Sequence, residues 1–190
     1  MTSPKPILSL NKTIVLTGMM GAGKTYIGRR LAEKLGLPFV DADVQIAEAA
    51  GCNISEIFER HGEEAFRDGE RRVISRLLGE PIHVLSIGGG ASMDPETRAL
   101  IAEKSVSVWL RADIELLLSR VLRHDTRPLL GKGDPREILE KLIEERYPVY
   151  AQADVIVDSV DAPPEITVEK TCKALAAYLN DNPSSSRKAS

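Results

Sequence analysis

The run Gly18-Met-Met-Gly-Ala-Gly-Lys-Thr25 matches G-x-x-x-x-G-K-[ST], a spacing that wraps backbone amides around nucleotide phosphates. Glycine at 18, 21 and 23 permits positive φ and close backbone approach, so successive N–H groups converge on an anion. Lys24 adds a compact cation that can follow the β- and γ-phosphates, and the Thr25 hydroxyl is placed to ligate a magnesium ion bridging them. Gly21, Ala22, Gly23, Lys24, Thr25 and Tyr26 are therefore the expected ATP contacts.

A phosphate loop does not say what receives the phosphate. Transfer needs a metal, charge compensation and a group that positions or deprotonates the acceptor. Asp41 and Asp43 are expected at a strand end with side chains pointing the same way, Asp43 on the acceptor hydroxyl and Asp41 on a water in the metal shell. The competing reading makes Asp43 a helix N-cap. Arg67 with Glu70 one turn later suits a carboxylate-binding guanidinium held by a buttress; a surface ion pair over core phenylalanines is the plainer reading. Arg127 can supply positive charge over the γ-phosphate from a loop, and Arg146 is either a second substrate cation or part of a solvated helix face. Gly88, Gly89 and Gly90 can present amides to the acceptor or allow close packing, and spacing leaves both open.

These residues need a scaffold. Thr13–Thr17 is a β-branched apolar run before the loop, and Tyr26–Leu35 has apolar residues at helical spacing, which is the strand, loop and helix the motif requires. A second strand is expected over 37–40, short helices over 44–50 and 55–60, and a longer one over 63–78. Three helices between two strands suggest a flap over the ligand crevice. A third strand at 82–87 runs into the glycines, Asp94-Pro95 opens a helix to 104, and a fourth strand occupies 105–110. Asp113 caps a helix over 114–122, residues 124–133 lose periodicity as a lid would, and Asp134-Pro135 open a helix to about 153. A fifth strand at 154–157 and a helix that follows Pro163-Pro164 and ends near 179 complete the pattern. Five strands alternating with helices predict an α/β fold with a parallel, helix-covered sheet in a single domain, with a core over 12–180 and flexible tails at 1–11 and 181–190.

With 190 residues, 43% hydrophobic and 28% charged, the chain is long enough for one full core. A net charge of −3 gives no basic surface for nucleic acid or anionic membrane, and no apolar run approaches the ~20 residues that cross a bilayer. Cys52 and Cys172 lack metal-ligand spacing, His61, His83 and His124 are scattered, and no signal sequence is evident, so a cytoplasmic location is expected.

The pieces GMMGAGKT, DAD, FRDGE, GGG, RPLL and ERYPVYAQAD follow one another across residues 13–179, and together they resemble the shikimate kinase family. That resemblance implies transfer of the ATP γ-phosphate to the 3-hydroxyl of shikimate, with one Mg2+ per site, on the route to chorismate and the aromatic amino acids. It also implies a three-layer P-loop NTP hydrolase fold like that of nucleoside monophosphate kinases, with strand order 2-3-1-4-5, a lid and a substrate flap. ATP and shikimate are the expected partners of a monomer. By position, Asp43 matches the residue on the shikimate hydroxyls, Arg67 and Arg146 the carboxylate clamp, Gly89 a backbone contact, and Phe58 and Phe66 an aromatic wall. Asp41 matches a water-mediated metal contact, Arg127 the lid arginine, and Arg120 a position that stacks on adenine. The terminal segments extend past the family's usual ends, and the loop 159–163 carries no diagnostic residues. The alternatives are another small-molecule kinase of this fold, such as a gluconate kinase, and a P-loop module that binds nucleotide without transferring phosphate.

Overall fold

The computed structural model describes residues 10–123 and 133–183. The expectations for a lid at 124–132, with Arg127, and for most of the two tails lie outside these residues. Leu10, assigned to the arm by sequence, is buried in the core, and the last helix continues to Asp181.

Five parallel strands, β1 (Thr13–Thr17), β2 (Phe39–Asp41), β3 (Val84–Ser86), β4 (Ser105–Arg111) and β5 (Val155–Asp158), form one sheet in the order β2-β3-β1-β4-β5. The register places Val15 between Leu85 and Ser107, which brings the carboxyl ends of β1, β2 and β3 to one edge. Strand pleating then divides β1: Ile14 and Leu16 enter one apolar cluster and Val15 the other. The first cluster is covered by α1 (Lys24–Leu35), α5 (Ile114–Leu122), α6 (Pro135–Tyr150) and α7 (Pro164–Asp181), and the second by α2 (Ala42–Ala50), α3 (Ile54–Leu77) and α4 (Pro95–Lys104). Burial on both faces explains why the inner strands β1 and β3 are buried along their whole length, whereas the edge strand β5 alternates buried and exposed residues.

Local signals set the helix boundaries. Asp94, Asp113 and Asp134 each accept a backbone N–H of their helix's first turn, and Gly36 and Gly51 end α1 and α2 in the left-handed conformation. The two helices expected over 55–60 and 63–78 are the halves of α3, which bends at Gly62 (φ 79°, ψ 175°). Its start is a capping box between Asn53 and Glu56, bonded at 2.9 and 3.0 Å.

Candidate active site

A cleft of about 880 Å³ runs along the carboxyl edge of the sheet, with the phosphate loop at one end and α3 at the other. Gly18, Gly21 and Gly23 hold φ of 147°, 83° and 92°, values that other residues rarely adopt, so the loop's conformation depends on them. The Lys24 ammonium donates to the carbonyls of Gly18 and Met19 at 2.8 and 3.0 Å, bridging the loop from its helical end. Tyr26 flanks the mouth, half exposed, with the Arg30 guanidinium stacked 4.6 Å from its ring.

Arg120 anchors the loop from outside. Its Nη1 donates to Gly21 O at 3.1 Å and Ser159 Oγ at 3.1 Å, its Nη2 to Val160 O at 3.0 Å, and Ser159 Oγ donates in turn to Ala22 O at 3.1 Å. Burial lowers the guanidinium pKa from its usual value, with Asp161 opposing and Arg123 reinforcing that shift. The side chain expected only as an adenine platform thus also braces the loop. Ser159, in a loop that sequence left blank, is its partner; no motif marks a serine used through one hydroxyl.

The two aspartates are arranged differently from the expectation. The strand ends at Asp41, and Asp43 lies in the first turn of α2, so they do not share a strand end. Asp41, not Asp43, is the N-cap: Asp41 Oδ1 accepts the Asp43 amide at 3.0 Å while Oδ2 accepts the Thr25 hydroxyl at 2.8 Å. The cause is a helix that starts two residues earlier than its apolar pattern, because Ala42 is buried and continues the helical face. Both carboxylates still line the cleft. Beside the phosphate loop, Thr25 and Asp41 offer oxygen donors alone, and no group of three or more potential ligands occurs among the described residues. That donor set fits Mg2+, which keeps several waters and takes one or two protein oxygens.

At the other end, Arg67 Nη1 donates to Glu70 Oε2 at 2.7 Å, and Glu70 is only 3% exposed. The pair is therefore no surface ornament; the bend at Gly62 turns this stretch of α3 into the cleft. Burial pushes the Glu70 carboxyl above its usual pKa, and Asp43 pushes the same way, while Arg67 and Arg146 oppose it. Phe58 and Phe66 stack at 4.6 Å, and the Arg67 guanidinium lies 5.1 Å from the Phe66 ring, giving the pocket an aromatic wall. Arg146, on α6, lines the same cleft and has a buried Nε without a protein hydrogen-bond partner, a donor suited to a carboxylate.

Gly88, Gly89 and Gly90 form the floor. None has positive φ, so their backbone does not demand glycine; space does. A Cβ on Gly88 would lie 3.2 Å from Asp43 Oδ1 and 3.1 Å from Glu70 Oε1; on Gly89, 3.1 Å from Arg146 Nη1; on Gly90, 2.5 Å from Arg67 Nη2. Each glycine accommodates a different polar side chain of the pocket. Close packing, one of the two readings left open by spacing, is thus met at all three glycines.

A phosphate loop with an oxygen-donor edge, opposite a small pocket holding an aspartate and two guanidinium groups, defines a P-loop small-molecule kinase. The sequence pattern of shikimate kinase matches residues 20–176. The chain is 56% identical over 177 residues to shikimate kinase of Paramagnetospirillum magneticum, covering 92% of this chain and 91% of that one. It is 60% identical over 164 residues to shikimate kinase of Caulobacter vibrioides, covering 86% and 82%. Among solved structures, shikimate kinase from Acinetobacter baumannii in complex with shikimate superimposes with a TM-score of 0.83 at 35% identity, covering 90% of this chain and 94% of that one. The chain belongs to the shikimate kinase family.

Proposed function

We propose that this kinase transfers the γ-phosphate of ATP to the 3-hydroxyl of shikimate, giving shikimate 3-phosphate and ADP. The observation that carries the reading is the pocket opposite the phosphate loop, where Arg67, Arg146 and Asp43 stand over three glycines beside an aromatic wall. Shikimate presents one carboxylate and three hydroxyls on a six-membered ring. In this reading Arg67, held by Glu70, and Arg146 take the carboxylate, and Asp43 takes the hydroxyls. Phe58 and Phe66 cover the ring, and Gly88 to Gly90 let it approach the backbone.

Phosphoryl transfer through a loose transition state leaves the protein mainly positioning and electrostatic work. Asp43 orients the acceptor oxygen and takes its proton as the new P–O bond forms. Lys24 and the amides of Gly21, Ala22 and Gly23 hold the phosphates, with Tyr26 and Arg120 flanking the nucleotide. Arg127 belongs over the γ-phosphate in this scheme. Thr25, and Asp41 through water, would hold Mg2+, which would supply charge neutralisation for the phosphates. Closure of α2 and α3 over the acceptor excludes water that would otherwise take the phosphoryl group. We place the protein in the cytoplasm as a monomer; no helix among the described residues is long and apolar enough to cross a membrane.

The test is ADP release with ATP and magnesium in the presence of shikimate, gluconate, quinate or no acceptor. Shikimate-dependent release that falls about 100-fold or more in Asp43→Asn, with nucleotide affinity kept, is expected. Release stimulated by gluconate alone, or nucleotide binding with no turnover, would turn the assignment to one of the two alternatives.

A further inference from the structure

Behind the glycine floor lies Tyr150, the last residue of α6, 1% exposed. It does not line the cleft; it borders a separate small cavity on the other side of the floor, near Thr17, Ser92 and Ser107. Its hydroxyl donates to the Gly89 carbonyl and also touches Met19 Sδ at 3.9 Å. The Arg146 guanidinium, one turn earlier on α6, is its neighbour at the floor: Arg146 Nη1 and the Tyr150 hydroxyl lie 3.1 and 3.2 Å from the same Gly89 Cβ position. A single buried hydroxyl therefore meets the floor of the pocket, the phosphate loop and one of the two pocket arginines.

The direction of the first bond matters. No described peptide is cis, so the Gly89–Gly90 unit is trans, and its N–H points opposite to its carbonyl. Tyr150 takes that carbonyl, so the Gly90 N–H points away from the Tyr150 hydroxyl. Glycines at 89 and 90 tolerate both orientations of this peptide within the Gly88–Ala91 turn, and the bond from Tyr150 selects one of them. The floor is also tied to the phosphate loop: Gly18 O lies 3.3 Å from the site of a Gly89 Cβ, and Thr17 Oγ1 meets Ser92 Oγ at 3.0 Å just beyond the glycines.

We propose that Tyr150 is a positioning residue for the acceptor, acting through the Gly89–Gly90 peptide and Arg146 to hold shikimate in register with the phosphate loop. Burial pushes the Tyr150 hydroxyl up to about 12, so it remains a donor throughout the neutral range. The ring packs 5.9 Å from that of Trp109 and 6.2 Å from that of Tyr147, contacts that phenylalanine would keep. The inference rests on the shikimate reading of the cleft.

Tyr150→Phe in the full chain tests it, with shikimate and ATP varied separately. The shikimate KM should rise about tenfold, as expected for a lost hydrogen bond that orients a binding group, with kcat within about threefold and the ATP KM within about twofold. An unchanged shikimate KM, a parallel rise in both KM values, or a fall in kcat alone would overturn the role. Wild-type enzyme without shikimate-dependent turnover would instead overturn the substrate assignment. Should Tyr150→Phe fail to fold, Gly89→Ala, whose new Cβ would sit 3.2 Å from the Tyr150 hydroxyl and 3.1 Å from Arg146 Nη1 and so disturb both groups at the floor, must give the same separation of KM values. Wild-type kinetics in that variant would equally overturn the proposal.

Discussion

Thr25 donates its hydroxyl to one oxygen of Asp41 at 2.8 Å, while the other oxygen of Asp41 accepts the Asp43 amide at 3.0 Å. One carboxylate thus organises the oxygen edge of the phosphate loop and starts the helix that carries Asp43. The two duties are separable. Asparagine caps helices as well as aspartate does, whereas alanine forfeits about 1 kcal/mol, or roughly 2–4 °C in a domain of this size. Asp41→Asn should keep the wild-type melting temperature and raise the magnesium concentration for half-maximal activity about tenfold. Asp41→Ala should show both losses. Melting curves beside magnesium titrations decide it, and equal magnesium dependence in all three proteins would confine Asp41 to capping.

The glycine floor makes a second prediction through contrast with a glycine of the core. Gly90 has an ordinary helical backbone (φ −87°, ψ −16°), so alanine there strains nothing locally, but its Cβ would lie 2.5 to 2.8 Å from the Arg67 guanidinium. A flexible side chain yields to such a contact. Gly90→Ala should therefore displace Arg67 from Glu70 and raise the shikimate KM at least about tenfold, with little change in melting temperature. At Gly28, by contrast, the Cβ would meet the Phe39 ring at 2.5 Å and Leu16 at 2.9 Å, where nothing can swing aside. Gly28→Ala should cost about 1–3 kcal/mol of stability and leave both KM values near wild type. Reversed phenotypes would refute this division of the glycines.

The same contrast shows what was legible in the sequence. The phosphate-loop glycines are visible because their φ requirement fixes a spacing, and the first strand because burial on both faces makes it a continuous apolar, β-branched run. The glycines at 88–90 are visible as a cluster, but the side chains that need the space come from α2, α3 and α6, so the reason for them is tertiary. Asp41 and Asp43 were legible as a pair and misassigned in detail, since a buried Ala42 moves the helix start by two residues. The Asn53–Glu56 capping box was readable from its spacing, as N-x-x-E before an apolar residue, and was missed. Tyr150 and Ser159 act through single hydroxyls on backbone carbonyls distant in sequence, and no local pattern encodes such contacts.

Arg120 joins two regions of the nucleotide end, the carbonyls of Gly21 and Ala22 and the loop at Ser159 and Val160. Removing it should loosen the phosphate loop without reaching the acceptor pocket. Arg120→Ala is expected to raise the ATP KM about tenfold with the shikimate KM within about twofold. Lysine should not rescue it, because one ammonium cannot reproduce a planar fork that meets carbonyls on two segments. Full recovery in Arg120→Lys would reduce the role to charge.

Glu70 gives a pH dependence whose sign follows from its burial. Desolvation raises its pKa above the ordinary value of 4.5, against the pull of Arg67. The folded protein then retains this proton in a window opening just above 4.5, where the unfolded chain has already released it. The cost of the buried charge is absent below that window and appears in full as pH rises through the folded value. Glutamine at 70 has no proton to lose. Its melting temperature, compared with wild type, should thus move upward as pH is raised through the window and reach a plateau above it. The shikimate KM provides the functional counterpart: Glu70→Gln frees Arg67 from its buried ionic partner, leaving the exposed Glu63, so the KM should be raised at neutral pH by about tenfold and depend less on pH than that of wild type. Parallel melting curves across the acid range would show that Glu70 titrates alike in the folded and unfolded chain.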